Sequence, residues 1–345
     1  MKAGVLQSVN DVSFTTVAEP RLEPGDLLIK VMAATICGTD IRILRGKKTS
    51  GIRYPSVLGH EFAGIVVETG GHSQFITGQA VCVCPQFACG HCEYCIRGAE
   101  NLCRGLTAMG YEIDGAFAEY VRIPASGVRS GNVFAMPEGL SFEEAALAEP
   151  LACVMNGQER VGVHMGDVVT VLGAGPIGIL HVKLARLSGA RRIIVSEPSE
   201  SRREAALQAG ADIVIDPTAE DLFARVRAAS DGLGADVAIV AIGVPSLAND
   251  AIRLVRHRGR VSLFAGFSKG VQAEIDVNAI HYNELIVTGS FGLTRLQFEK
   301  ALNMIASGRL EVGSLLTHRF ALPEIVTALA TAEQGSAIKV AIVAD

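Results

Sequence analysis

Asp167-Val168-Val169-Thr170-Val171-Leu172-Gly173-Ala174-Gly175-Pro176-Ile177-Gly178 is the stretch whose reading decides the fold of this chain. A run of β-formers with no charge after Asp167 reads as a buried strand. It enters a G-x-G-x-x-G turn, and Pro176 suits the first position of a helix, here expected to reach Leu187. Such a turn alone is weak evidence, because a glycine turn also occurs in nucleotide-free α/β domains. What strengthens it is the second strand, Arg192–Ser196, followed by Glu197, an acid 24 residues after Gly173. In that arrangement Gly173, Gly175 and Gly178, with Pro176 and Ile177, let backbone N–H groups approach a pyrophosphate at a helix N-terminus. Glu197 is placed to accept the adenosine ribose hydroxyls, which favours NAD over NADP. Downstream, 235–240, 259–264 and 285–289 read as three more buried strands, with a helix around 248–255.

Upstream the texture differs. Residues 1–35 alternate short apolar runs such as 27–31 with turn clusters such as Glu23-Pro24-Gly25-Asp26, the mark of short antiparallel strands. The same texture continues through 63–68 and 80–85. Gly59-His60-Glu61-Phe62-Ala63-Gly64 sets an imidazole and a carboxylate between glycines, and Cys37-Gly38-Thr39-Asp40 adds a thiol. Cysteine, histidine and carboxylate suit zinc, and three protein ligands leave a position for substrate. Taken singly, His60 reads as a satisfied core histidine and Cys37 as a buried apolar residue.

Cys89, Cys92, Cys95 and Cys103 follow at C-x2-C-x2-C-x7-C. Four thiolates close a tetrahedral shell, so this site is expected to be structural, with His91 inside its loop but not a ligand. Disulfides fit poorly with three thiols in seven residues. Cys82, Cys84 and Cys153 read as small core residues. From 141 to 161 the apolar spacing predicts a helix interrupted at Pro150, with Glu149 anomalous in an apolar run. After Ser290, a helix over 298–307 and the segment 310–345 are expected to pack back on the β-rich part.

Composition narrows the classes. Among 345 residues, 49% are hydrophobic and 19% charged, which argues for a folded chain of two domains. A net charge of −5 without a basic run argues against nucleic acid, and aromatics at 5% offer no stacking platform for bases. No apolar run approaches the ~20 residues of a membrane helix. The start, Met1-Lys2-Ala3-Gly4-Val5, lacks the apolar core of a signal peptide, so the expected location is the cytoplasm.

With these pieces in place, the chain resembles the zinc-dependent medium-chain dehydrogenases over essentially its full length. The residues that carry the resemblance are 37–40, 59–61, the four thiols, Glu149-Pro150-Leu151 and 173–178. Glu149-Pro150-Leu151 points to the branch of sorbitol, cyclitol and sugar-alcohol dehydrogenases. The resemblance implies an α/β architecture: a GroES-like β-rich catalytic domain (1–155, with a zinc lobe at about 86–104), a Rossmann domain with a doubly wound parallel sheet (156–290), and a C-terminal return (291–345). It implies catalysis in a cleft between the domains and two zinc ions per subunit. Cys37, His60 and Glu61 would bind the catalytic zinc, with Glu149 a fourth ligand, direct or through water. Thr39 would take the substrate hydroxyl proton, Arg202 would stand beside the cofactor, and Lys339 near its pyrophosphate. A small-molecule alcohol as substrate and a homotetramer, or a dimer, are also implied.

Three positions depart from that family. Asn156 stands where sorbitol dehydrogenases usually carry histidine, Arg42 where histidine is common, and Gln79 where a turn aspartate is usual. An L-threonine 3-dehydrogenase-like activity is the alternative within the class. A nucleotide-binding protein without catalysis is the alternative outside it.

Overall fold

A computed structural model describes residues 1–71, 74–268 and 270–344. The chain divides into two compact units, Met1–Ala152 with Leu293–Asp345, and Cys153–Gly292.

The first unit is built on a mixed seven-stranded sheet. Its main path runs Val133–Ala135, Ala80–Val83, Glu61–Thr69, Leu27–Thr35, Lys339–Val343 and Leu316–Ala321, and Tyr120–Ile123 pairs with Leu27–Thr35. A smaller sheet joins Asp11–Thr16, Lys2–Ser8 and Ser56–Val57. Leu27, Ile29, Phe62, Val66, Phe117 and Ile325 belong to one core. Gly59 takes φ +95°, and a Cβ there would run into the ring of Phe117. That backbone turn delivers His60 and Glu61 to the start of strand Glu61–Thr69. The C-terminal strand lies antiparallel to Leu27–Thr35, with Ala341 opposite Thr35, while Thr35 also faces Glu61. Three strands distant in sequence thus meet at one point.

The second unit is a six-stranded, all-parallel sheet. Numbered within the unit from Val168–Leu172, its strand order is 3-2-1-4-5-6. The first strand is buried throughout and feeds both faces: Val168 and Leu172 join one core, Val169 and Val171 the other. Helix Pro176–Leu187 follows with Gly175 as its N-cap.

Three expectations need correction. The interruption over 141–161 falls at Leu147, between helices Phe142–Ala146 and Ala148–Val161, and not at Pro150. Pro150 sits in the first turn of the second helix, where its missing N–H costs nothing. The strand expected to be buried at 285–289 is Ile286–Gly289, a sheet edge with Ile286 exposed. An edge strand has only one flank to cover it. Cys82 and Cys84 are buried, but Cys153 is only half-buried.

Candidate active site and cofactor cradle

Cys37 is the N-cap of the short helix Gly38–Leu44, which carries Thr39 half-buried on its first turn. The Cys37 N–H donates to Asp40 Oδ2 at 2.9 Å, so the same carboxylate that braces the cap also orients the cluster. Cys37, His60 and Glu61 each bring one donor atom, and all three lie within 4.8 Å of one another. Asp40, fully buried, places Oδ1 3.4 Å from His60 Nδ1, a carboxylate behind the imidazole of the kind that sets the ring of a metal-bound histidine. Burial alone would depress the pKa of His60. The charges of Asp40, Tyr111 and Cys37 outweigh it and hold the imidazole well above its ordinary value.

Glu61 is buried, and its Oε2 accepts from Thr35 Oγ1 and pairs with Lys339 Nζ at 2.6 Å. Its Oε1 has no hydrogen-bond partner among the described residues. A buried carboxylate oxygen left bare costs free energy unless a cation takes it up. That orphaned oxygen, beside a thiol and an imidazole, fits a zinc ion. Glu149, also buried, stands outside the 4.8 Å grouping but acts electrostatically on Lys339 and Tyr111.

Lys339, which the resemblance sets near the cofactor pyrophosphate, pairs with Glu61. The register of strand Lys339–Val343 against Leu27–Thr35 brings it there. Burial would lower the ammonium's pKa, but Glu61 and Cys37 reverse the effect and raise it, so the ammonium keeps its charge. Asp40, Thr35 and Tyr111 are participants that sequence reading passed over. Asp40 had a signal, lying three residues after Cys37; Thr35 and Tyr111 had none.

The four thiols 89, 92, 95 and 103 form the second grouping, also within 4.8 Å. All are free, with Cys92 and Cys95 sulfurs 3.5 Å apart, so the lobe holds no disulfide. Cys103 Sγ accepts from the N–H groups of Cys89 and Gly105 at 3.2 and 3.3 Å. Backbone N–H groups of Cys95 and Arg104 pull the Cys92 thiol down to about 6, toward the thiolate a metal needs. The set fits a second, closed zinc site. His91 is exposed, its Nδ1 2.9 Å from Cys89 O, and it has no place in the grouping.

In the second unit, the turn at 173–178 has the shape of a cradle. Gly173 takes φ +101°, and a Cβ on Gly178 would collide with the Gly173 carbonyl. A Cβ on Gly175 would meet nothing within 4 Å, so open space lies over the helix N-terminus that Pro176 and Ile177 begin. Such a space fits a pyrophosphate. Glu197 is buried and anchored, accepting from Ala174 N at 2.8 Å and Ser199 N at 3.0 Å. Arg203 is drawn off by the carbonyls of Glu197 and Pro198 and by Asp216, while Arg202 is half-buried nearby in sequence.

Asn156 donates to Phe291 O and Gly292 O at 3.2 and 2.9 Å, clasping the end of this unit. Gln79 Oε1 accepts from Ile76 N at 3.2 Å and so closes its own turn. A cavity of about 670 Å³ in the first unit, bordered by Arg21, Arg53 and Arg122, is lined by none of the cluster residues. Donor chemistry marks the site, and cavity size does not.

Residues 23–133 match the alcohol dehydrogenase GroES-like domain, and residues 176–307 match the zinc-binding dehydrogenase family. L-threonine 3-dehydrogenase of Pyrococcus furiosus is 37% identical, covering 87% of this chain and 86% of its own. Sorbitol dehydrogenase of Bacillus subtilis is 31% identical over 97% and 94%. A crystal structure from Sinorhizobium meliloti 1021, bound to NADP, superposes with a TM-score of 0.91 at 35% identity, covering 99% and 98%. The chain belongs to the zinc-binding alcohol dehydrogenase family, with a GroES-like and a Rossmann part. Among the described residues, no helix is long and apolar enough to cross a membrane.

Proposed function

We propose that this protein oxidises a secondary alcohol of a polyol, sugar alcohol or cyclitol to a ketone, with NAD as hydride acceptor. The observation that carries the reading is the Cys37–His60–Glu61 grouping, with Cys37 half-buried, His60 and Glu61 buried, and one carboxylate oxygen bare among the described residues. Zinc held there would act as a Lewis acid and lower the pKa of an alcohol bound to it. Asp40 holds His60, and Lys339 balances Glu61, so the donor set is kept in place before any ligand arrives. Thr39, whose hydroxyl has no partner among the described residues, accepts the substrate's hydroxyl proton and passes it on. Glu149 completes the ligand set, directly or through water. Bound NAD would supply the hydride acceptor, so that the secondary alcohol would leave as ketone, with NADH and a proton as the other products. A guanidinium offers no proton acceptor, so the proton leaves to water rather than to Arg42.

Glu197 favours NAD, because its charge repels a 2′-phosphate and Arg203 is committed elsewhere. The L-threonine dehydrogenase among the relatives makes threonine the one amino acid to test. NAD reduction across polyols, cyclitols, simple alcohols and L-threonine tests the assignment, and failure on every alcohol would leave a nucleotide-binding protein without catalysis. We also place the protein in the cytoplasm, where eight free thiols stay reduced, and as a homotetramer. Exposed Tyr282, Ile286 and Phe291 around the open sheet edge support self-association, and light scattering that reports a monomer refutes it.

A further inference from the structure

One cation near the cluster, Lys48, forms no ion pair among the described residues. Lys48 lies just beyond helix Gly38–Leu44, its N–H donating to Arg42 O at 3.1 Å. Its ammonium sits over the ring of Tyr111, 4.9 Å from the centroid. The same ring meets His60 edge-on, with centroids 5.6 Å apart. Lys48 is half-buried and forms no ion pair among the described residues. Two charges bear on it. Arg42 has the same sign, and Glu112 is opposite but already accepts from Ala108 N at 3.0 Å. Burial, then Arg42, lower its pKa, which is the mark of a charge short of compensation. An aromatic face offsets only part of that cost.

We propose that Lys48 receives the carboxylate of the substrate, so that the secondary alcohol oxidised here belongs to a sugar acid of the aldonate type. Tyr111 separates the two ends of such a molecule: the hydroxyl lies at the Cys37–His60–Glu61 grouping and the carboxylate at Lys48. A chain of several carbons can pass from one side of that ring to the other. An α-amino acid fits less well, because its ammonium would approach Lys48 and Arg42. The inference deepens the dehydrogenase reading and rests on it.

The test uses zinc-loaded enzyme with a six-carbon aldonate and the alditol of the same carbon number and configuration. The unmodified enzyme is expected to have a kcat/KM at least about tenfold higher on the acid. Lys48→Met lowers the ratio of the two values by about 10- to 100-fold, through KM of the acid, and Lys48→Arg restores most of it. Equal use of acid and alditol by the unmodified enzyme overturns the proposal and leaves the dehydrogenase reading standing. A change in Lys48→Met that falls on KM for NAD assigns the cation to cofactor phosphate and also overturns it. If no alcohol reduces NAD, the dehydrogenase reading fails, and calorimetry with a non-oxidisable deoxy acid decides the remainder. Binding that Lys48→Met abolishes upholds a carboxylate site, and no binding to the unmodified protein overturns it.

Discussion

The first unit holds two groupings of metal-binding side chains, built in opposite ways. The thiol lobe takes all four donors from residues 89–103, on short helical turns and loops at the surface, with backbone N–H groups turned on the sulfurs. In the Cys37–His60–Glu61 grouping the histidine and the carboxylate are buried, and the supports come from three strands and a helix cap spread from Thr35 to Lys339. The first offers four donors, enough to close a shell around a metal; the second offers three, which would leave a position for a further ligand. A local site needs only its own loop, whereas a buried site with charges needs the whole sheet to satisfy them.

The largest effects should come from separating the two metals. Brief chelation is expected to abolish NAD reduction and leave the fold intact by circular dichroism, while metal analysis drops from two zinc ions per chain to one. Cys103→Ser, in contrast, should lower the melting temperature or disrupt assembly. A single zinc in the untreated protein would break the comparison outright.

Thr39→Ala comes next. Loss of its hydroxyl should cut kcat by about 10²–10⁴-fold without shifting thermal stability, because the side chain supports chemistry and not the sheet. A lower melting temperature with unchanged kcat would show the reverse.

Lys339→Met probes how far the open grouping depends on distant strands. It leaves Glu61 buried without its cation, a change that typically costs about 3–5 kcal/mol. The loss should be greatest in zinc-free protein and smaller once zinc is added, since zinc supplies the missing positive charge. Equal losses with and without metal would show that Glu61 does not face the ion.

Smaller effects concern cofactor choice and proton exit. The enzyme should have a higher kcat/KM with NAD than with NADP, and Glu197→Ala should narrow the gap; a preference for NADP would refute the role given to Glu197. Arg42→His should introduce an ionisation near ~6.5, with the rate rising as pH passes upward through it and the imidazole becomes a proton acceptor. If the unmodified enzyme already shows that step and Arg42→Ala removes it, the exit to water is wrong.

The sequence by itself determined whatever is written contiguously. The thiol lobe, the strand–turn–helix at 168–187 and the acid at Glu197 are local patterns, and the chain adopts them locally. It also marked Cys37, His60 and Glu61 as a donor set, because each sits in a recognisable short motif. Only the tertiary structure decided what stands behind them. No motif announces the partner of Lys339; the C-terminal strand lies beside Leu27–Thr35, and the Lys339 ammonium pairs with Glu61. Thr35, Tyr111 and Lys48 carry no motif; their parts follow from strand register and ring contacts. Asn156 and Gln79, read as departures from a family pattern, prove to be fastenings of backbone. The physical reason is the same in each case. A motif specifies the groups that do chemistry, but the electrostatic balance of a buried site is set by whatever the fold brings within a few ångströms of it.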